Sequence, residues 1–292
     1  MRIGLHALGI GAGADRAVID AVAKAAEDHG FATLWAGEHV VMVDNPESTY
    51  PYSDDGKIAV PAVADWLDPI ICLSFAAAAT TTIGIATGVL LLPEHNPVLV
   101  AKQAASVDRL SNGRLTLGIG IGWSREEFDA LGVPFSRRAL RTAEYVGAIR
   151  TLWRDDVASF SGGFVEFEAI RVNPKPVRDR RIPIVLGGNS DAALRRVVAW
   201  ADGWYGFNLD NVAAVADRME FIDKLCGVTG RDRRELSLAV ALRQPQAADV
   251  SALAQMGIDE FVVVEAPPHD AAAAPAWVAG LARCWMGSDR CG

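Results

Sequence analysis

Three short stretches hold the residue types and spacings that could do chemistry. Glu38-His39 follows the apolar run at residues 32–36. A histidine at a strand end can take or give a proton near neutral pH. The adjoining carboxylate could orient the ring or bind elsewhere. His6 and His95 also stand near strand ends, so residue type alone leaves the choice among the three histidines open. Gly187-Gly188-Asn189-Ser190 joins the run IPIVL to a helix-like segment. Glycines there expose backbone N–H groups at a helix N-terminus, which makes an anion site suited to a phosphate. The competing reading is a plain strand-to-helix turn with Asn189 or Ser190 as N-cap. It is not a P-loop, because no Gly-Lys-Ser/Thr follows. In the third stretch Gly118, Gly120 and Gly122 alternate ahead of Trp123. Such glycines clear one face for a group approaching the backbone, or satisfy one small-residue layer of a packed barrel. Trp123 could cover the cleared space or stack on a ring.

The elements that must position these residues alternate between two periods. Residues 83–93, IGIATGVLLLP, form an uncharged run with the character of a strand buried on both faces, the kind found in parallel sheets covered by helices. Gly88 interrupts it, so Thr87-Gly88-Val89 is a candidate place for a flat cofactor to lie against the backbone; a core strand with a tolerated glycine is the alternative. Further strands are expected at 2–8, 32–36, 114–121, 182–186, 203–207, 236–242 and 260–265, each followed by a helical pattern. Asp15, Asp68-Pro69, Asn96-Pro97 and Ser136 open four of the helices. Eight strand–helix units predict an α/β fold, a (β/α)8 TIM barrel with insertions, as one domain over 1–292. A long loop at 40–67 contains Tyr50 and Tyr52, and an insertion spans about 155–181; connections this long are usually functional or mobile. A doubly wound sheet is disfavoured, because Gly9, Gly11 and Gly13 alternate where that fold needs Gly-x-Gly-x-x-Gly. In a barrel all three chemical stretches fall at the C-terminal ends of strands, where barrel enzymes keep their sites.

Bulk properties narrow the classes. The chain has 292 residues, 51% of them hydrophobic, and a formal net charge of -8 with no basic block, so nucleic acid is not an expected partner. No apolar run reaches the ~18 residues of a membrane span. Cys72, Cys226, Cys284 and Cys291 make no C-x-x-C pair, and no secretory segment is visible, which reads as a reduced, cytoplasmic protein. The five histidines are scattered without H-E-x-x-H spacing, so no metal is expected, and there is no G-x-S-x-G elbow.

Taken together, Glu38-His39, TGVLLLP followed by NPV, LAKQAASVDRLSNGRLTLGIGIGW, NPKP and IPIVLGG resemble the luciferase-like monooxygenase superfamily, above all its actinobacterial branch of coenzyme F420-dependent oxidoreductases. The resemblance runs from Arg2 to about Trp204. It implies a homodimeric (β/α)8 barrel that binds F420 or FMN at its C-terminal mouth. It implies a non-prolyl cis peptide at Gly88-Val89 behind the ring, and catalytic work by His39 with Glu38 tuning it. The cofactor would be held by Thr87, Gly88, Val89, Gly120, Gly122, Trp123, Gly187, Gly188, Asn189 and Ser190, and the loop at 40–67 resembles the family's variable substrate loop, with Tyr50 and Tyr52 as candidates to line a substrate pocket. Some deazaflavin relatives carry an acid just after the fourth-strand glycine where this chain has Trp123, so no general acid is carried over to that position. The implied activity is hydride transfer between reduced deazaflavin and a small organic substrate. The alternatives are an FMN monooxygenase using oxygen and a cofactor-binding protein without turnover.

Overall fold

Aliphatic and β-branched runs set the strands, and short polar caps set where each helix begins. The structure is a computed structural model that describes residues 1–287; Cys291 lies outside the described residues. The first strands are β1 (Arg2–Leu8), β2 (Thr33–Ala36), β3 (Gly84–Thr87), β4 (Leu90–Leu91) and β5 (Leu115–Gly120). A separate antiparallel hairpin follows, β6 (Ala158–Ser161) with β7 (Glu166–Ile170), inside the expected insertion. The sheet then resumes with β8 (Ile184–Gly187), β9 (Gly203–Leu209), β10 (Ser237–Leu242) and β11 (Glu260–Val264). Neighbouring strands are parallel in the order β3-β2-β1-β11-β10-β9-β8-β5-β4, and the ring closes where β3 and β4 both pair with β5. Since β3 and β4 are one interrupted stave, the result is a closed eight-stave barrel.

Nine helices among the described residues accompany the strands: α1 (Arg16–Asp28), α2 (Pro69–Ala79), α3 (Pro97–Leu110), α4 (Arg125–Ala130), α5 (Arg138–Arg154), α6 (Asp191–Trp200), α7 (Val212–Thr229), α8 (Asp249–Gln255) and α9 (Ala274–Met286). The expected caps at Asp15, Asp68 and Asn96 each accept backbone N–H bonds from the first turn. Ser136 does not cap a helix. α5 starts two residues later, after Arg137 at φ 59°, and α4 was not anticipated. Arg-Glu-Glu-Phe-Asp-Ala is short and charged, so it has no apolar period to detect. The residual signal was Ser124 three residues ahead of Glu127, the spacing of a capping box.

Most of the core lies between the barrel and its helices. A smaller cluster fills the barrel interior, where Trp35 stacks on Tyr205 at 4.5 Å. The loop at 40–67 contains no helix or strand, only an isolated bridge between Ile10 and Trp66. It is tied across the C-terminal mouth instead. The Glu47 and Ser48 N–H groups donate to Glu126, Asn208 Nδ2 donates to the Tyr52 carbonyl, and Arg243 pairs with Asp54. No helix among the described residues is long and apolar enough to cross a membrane.

Candidate active site at the barrel mouth

The run expected as one continuous strand at 83–93 breaks where the site forms. β3 ends at Thr87, the Gly88-Val89 peptide bond is cis, and two residues of β4 follow before a 3-10 turn over Leu92–Glu94. Val89 therefore leaves the ladder and points into the mouth. The glycines of the neighbouring staves make room for it. A Cβ at Gly120 would lie 2.7 Å from Val89 Cγ2, and one at Gly187 would lie 3.0 Å from Val89 Cγ1. At Gly120 the space read as clearance for a ligand is taken by Val89, and Gly187, read as part of an anion site, is also needed to make room for Val89.

A cavity of about 540 Å³ opens over this floor. Of the residues singled out from sequence, Glu38, His39, Tyr50, Tyr52, Gly88, Val89, Gly120, Gly122, Trp123, Gly187, Gly188 and Ser190 line it. Two do not. Thr87 is fully buried and its hydroxyl donates to the Gly118 carbonyl at 2.6 Å. Asn189 turns away, donating Nδ2 to the Phe207 carbonyl at 2.8 Å and lining a separate polar cavity of about 320 Å³.

His39 has a different partner from the one expected. Its Nδ1 lies 2.8 Å from Glu127 Oε2, while Glu127 Oε1 accepts the backbone N–H groups of Val40 and Val41. With Glu127 fully buried and its carboxylate turned to Nδ1, the tautomer that fits has the His39 Nδ1–H donating to Glu127 and the Nε2 lone pair facing the cavity. Trp123 Nε1 reaches that nitrogen only at 3.4 Å, a long contact that a ligand can displace. Glu38 makes no bond to His39. Its carboxylate accepts the Leu91 N–H at 2.6 Å and the His95 Nε2–H at 3.0 Å. The reason is directional: successive residues leaving a strand point to opposite sides, so Glu38 and His39 cannot share one partner. Burial lowers the affinity of His95 for a proton, but the bond and charge of Glu38 outweigh it and its pKa is raised.

Aromatic rings wall the rest. Trp66 and Trp123 meet His39 edge-on at 4.9 and 5.6 Å, and Tyr50 bridges Trp123 to Tyr52 at 5.3 and 5.4 Å. On the floor, His6 Nδ1 lies 3.1 Å from the Tyr205 hydroxyl; burial pushes this imidazole down to about 4, so it is neutral.

At the opposite end, Ser190 caps α6 by accepting the Ala193 N–H, and Gly188 sits at φ +112°, a conformation that suits glycine. Arg196, one face of α6 further on, also lines the cavity, and its buried Nε has no partner. Burial and the charge of Arg138 both lower the pKa of Arg196. An unpartnered guanidinium beside a capped helix N-terminus is what an anion would complete. The sequence reading missed Arg196 because it lies inside a regular amphipathic helix, where an arginine normally faces water. Among the described residues no group of His, Cys, Asp or Glu is arranged to hold a metal ion.

The family model of luciferase-like monooxygenases matches residues 4–281. The chain belongs to the luciferase-like monooxygenase family. It is therefore an oxidoreductase of that family, and its barrel is the family's. An uncharacterized protein of Mycobacterium tuberculosis is 32% identical over 263 residues, 90% of this chain and 92% of its own length. An FMNH2-dependent dimethylsulfone monooxygenase of Pseudomonas fluorescens is 32% identical over 148 residues, which is 50% of this chain but 40% of that protein. Among solved structures, the coenzyme F420-dependent tetrahydromethanopterin reductase of Methanopyrus kandleri superposes with a TM-score of 0.72 at 16% identity, covering 95% of this luciferase-like chain and 97% of its own.

Proposed function

We propose that the protein is a deazaflavin (F420)-dependent oxidoreductase acting on a small, largely apolar organic substrate. The observation that carries this reading is the His39 Nε2 lone pair facing the cavity, with Glu127 fixed behind the ring. Moving a hydride between a carbon and its acceptor is coupled to moving a proton on the attached oxygen, and that proton needs a positioned base or acid. The bound deazaflavin supplies the two-electron hydride chemistry at its ring carbon.

The chain's own residues then have separate tasks. The Gly188 and Ser190 segment with Arg196 holds the cofactor phosphate. Gly88 and Val89 back one face of the ring. His39 takes the substrate proton at Nε2, or returns it, while Glu127 holds the imidazole in that tautomer. Trp66, Trp123, Tyr50 and Tyr52 exclude water. Much of the remaining lining is apolar, including Ile10, Ile58, Val60 and Val264 beside the polar Ser53, Lys57, Asn208 and Glu265, and such a lining favours a largely apolar substrate. A homodimer belongs to this reading. Ile71 and Phe75 on α2 and Leu99 on α3 expose 59%, 51% and 62% of their surface, and such a face suits a second copy.

A second reading, an FMN monooxygenase, is favoured by the partial match to the dimethylsulfone enzyme. Titrating the apoprotein with F420 and with FMN, side by side, separates the two. Tight F420 binding with negligible FMN affinity supports hydride transfer. The reverse makes oxygen-dependent oxidation the better reading, and binding of neither removes the phosphate site.

A further inference from the structure

Glu94 is not used by any of the steps above, yet it sits among the groups that perform them. It is 7% exposed, and both carboxyl oxygens are buried without a hydrogen-bond partner. It packs against the positive-φ Gly122, whose Cβ, if present, would lie 2.9 Å from Glu94 Oε1. Two further buried carboxylates act on it, Glu127 and Glu38, and each of those already holds a histidine: His39 toward the cavity and His95 toward the surface. Asp68, the cap of α2, adds its charge to His95, and Arg138 donates Nε–H to the Gly122 carbonyl. An apolar side chain would fit this spot at lower cost, since orphaned carboxyl oxygens in a dry site destabilise a fold. A local rule broken next to a reactive histidine points to function rather than stability.

We propose that Glu94 is a positioning residue for proton handling: as a buried carboxyl without a hydrogen-bond partner beside Glu38 and Glu127, it sets how readily the two histidines those carboxylates hold, His39 and His95, take up or release a proton. Burial first, then the charges of Glu127 and Glu38, push its carboxyl up to about 9, so it is protonated at neutral pH. Ionised, it would place a third negative charge behind the two imidazoles and make both hold protons more tightly. His95, bonded to Glu38 and with its side chain 23% exposed, connects the buried groups to solvent.

The inference rests on His39 as the proton-handling group, but its test needs no cofactor. The histidine Cε1–H resonances are followed by NMR from pH 6 to 10.5 in the wild type and in Glu94→Gln, with His39→Gln and His95→Gln for assignment. The expected result is a second inflection near pH 9 in both the His39 and His95 signals of the wild type. Glu94→Gln, which keeps the shape and the neutral state, loses that inflection while its neutral-pH shifts stay unchanged. An inflection that persists in Glu94→Gln, or is absent from the wild type, overturns the proposal. Because glutamine preserves the packing, a purely structural role predicts no difference between the two proteins. A Glu94→Met variant checks that the fold survives the loss of the polar group. Failure here leaves the cofactor reading intact, and failure of F420 to bind leaves this titration intact.

Discussion

His39 and Glu127 stand 88 residues apart in the chain and meet at 2.8 Å, with the Glu127 carboxylate also holding the backbone N–H groups of Val40 and Val41. One side chain on a six-residue helix therefore fixes both the tautomer of His39 and the start of the mouth loop. Glu127→Gln should separate these roles. The amide oxygen can still accept from Val40 and Val41, but its NH2 group faces Nδ1 and forces the proton onto Nε2. We expect turnover to fall by about 100-fold, with cofactor affinity and melting temperature nearly unchanged. Equal turnover in the two proteins would remove His39 from proton transfer.

Arg196 offers an independent test of the phosphate site. A charge-assisted bond of ~1.5–3 kcal/mol predicts that Arg196→Met weakens F420 or FMN binding by about 10- to 100-fold. Riboflavin, which has the ring but no phosphate, should bind both proteins alike. The apoprotein should lose no stability, because a partly buried cation without a partner has been removed. Isothermal titration and thermal melts read both results.

Val89 and Gly120 should behave as a coupled pair. Adding a methyl at Gly120 places it 2.7 Å from Val89 Cγ2, so Gly120→Ala should destabilise the fold by ~1–3 kcal/mol. Val89→Ala in the same chain should recover part of that loss. Urea unfolding of the two single variants and the double variant gives the coupling; strict additivity would mean that the two side chains do not share this space.

His6 predicts a loss of stability in acid. Its proton affinity is low in the fold, about 4 against 6.5 when exposed, because the ring is buried. Between these values the unfolded chain binds the proton and the folded chain does not, so stability falls as pH drops through that window. The loss is on the order of 3 kcal/mol by pH 4. His6→Asn should flatten that part of the pH profile, measured as the urea midpoint from pH 7 to pH 4.

Glu94 has the opposite sign. In the unfolded chain it ionises near 4.5, but in the fold it keeps its proton to about 9. The folded state holds more protons over that range, and stability is lost as pH rises through it. Glu94→Gln should melt higher than the wild type at pH 8, by ~3 °C or more, and should match it at pH 4. A variant that melts lower at pH 8 would show that the carboxyl makes a bond absent from this structure.

The barrel itself was legible in the sequence because its signals are local. Period-two and period-3.6 patterns, and caps such as Asp15, Asp68 and Asn96, depend on neighbours within a few residues, and the structure places these elements within a few residues of where the patterns put them. Glu38, His39, Gly88 and Ser190 were legible as residues at strand ends, which a barrel brings to one mouth. The pairings among them were not. That Glu38 serves His95, that Glu127 serves His39, that Gly120 and Gly187 accommodate Val89, and that Arg196 turns inward are facts about side chains far apart in sequence. Sequence by itself determined which elements form and which ends of them meet, because backbone propensity and burial pattern act over short range. Only the tertiary structure decided which acid charges which base, because that choice depends on the direction in which each side chain leaves its strand or helix and on the last few ångströms of packing around it.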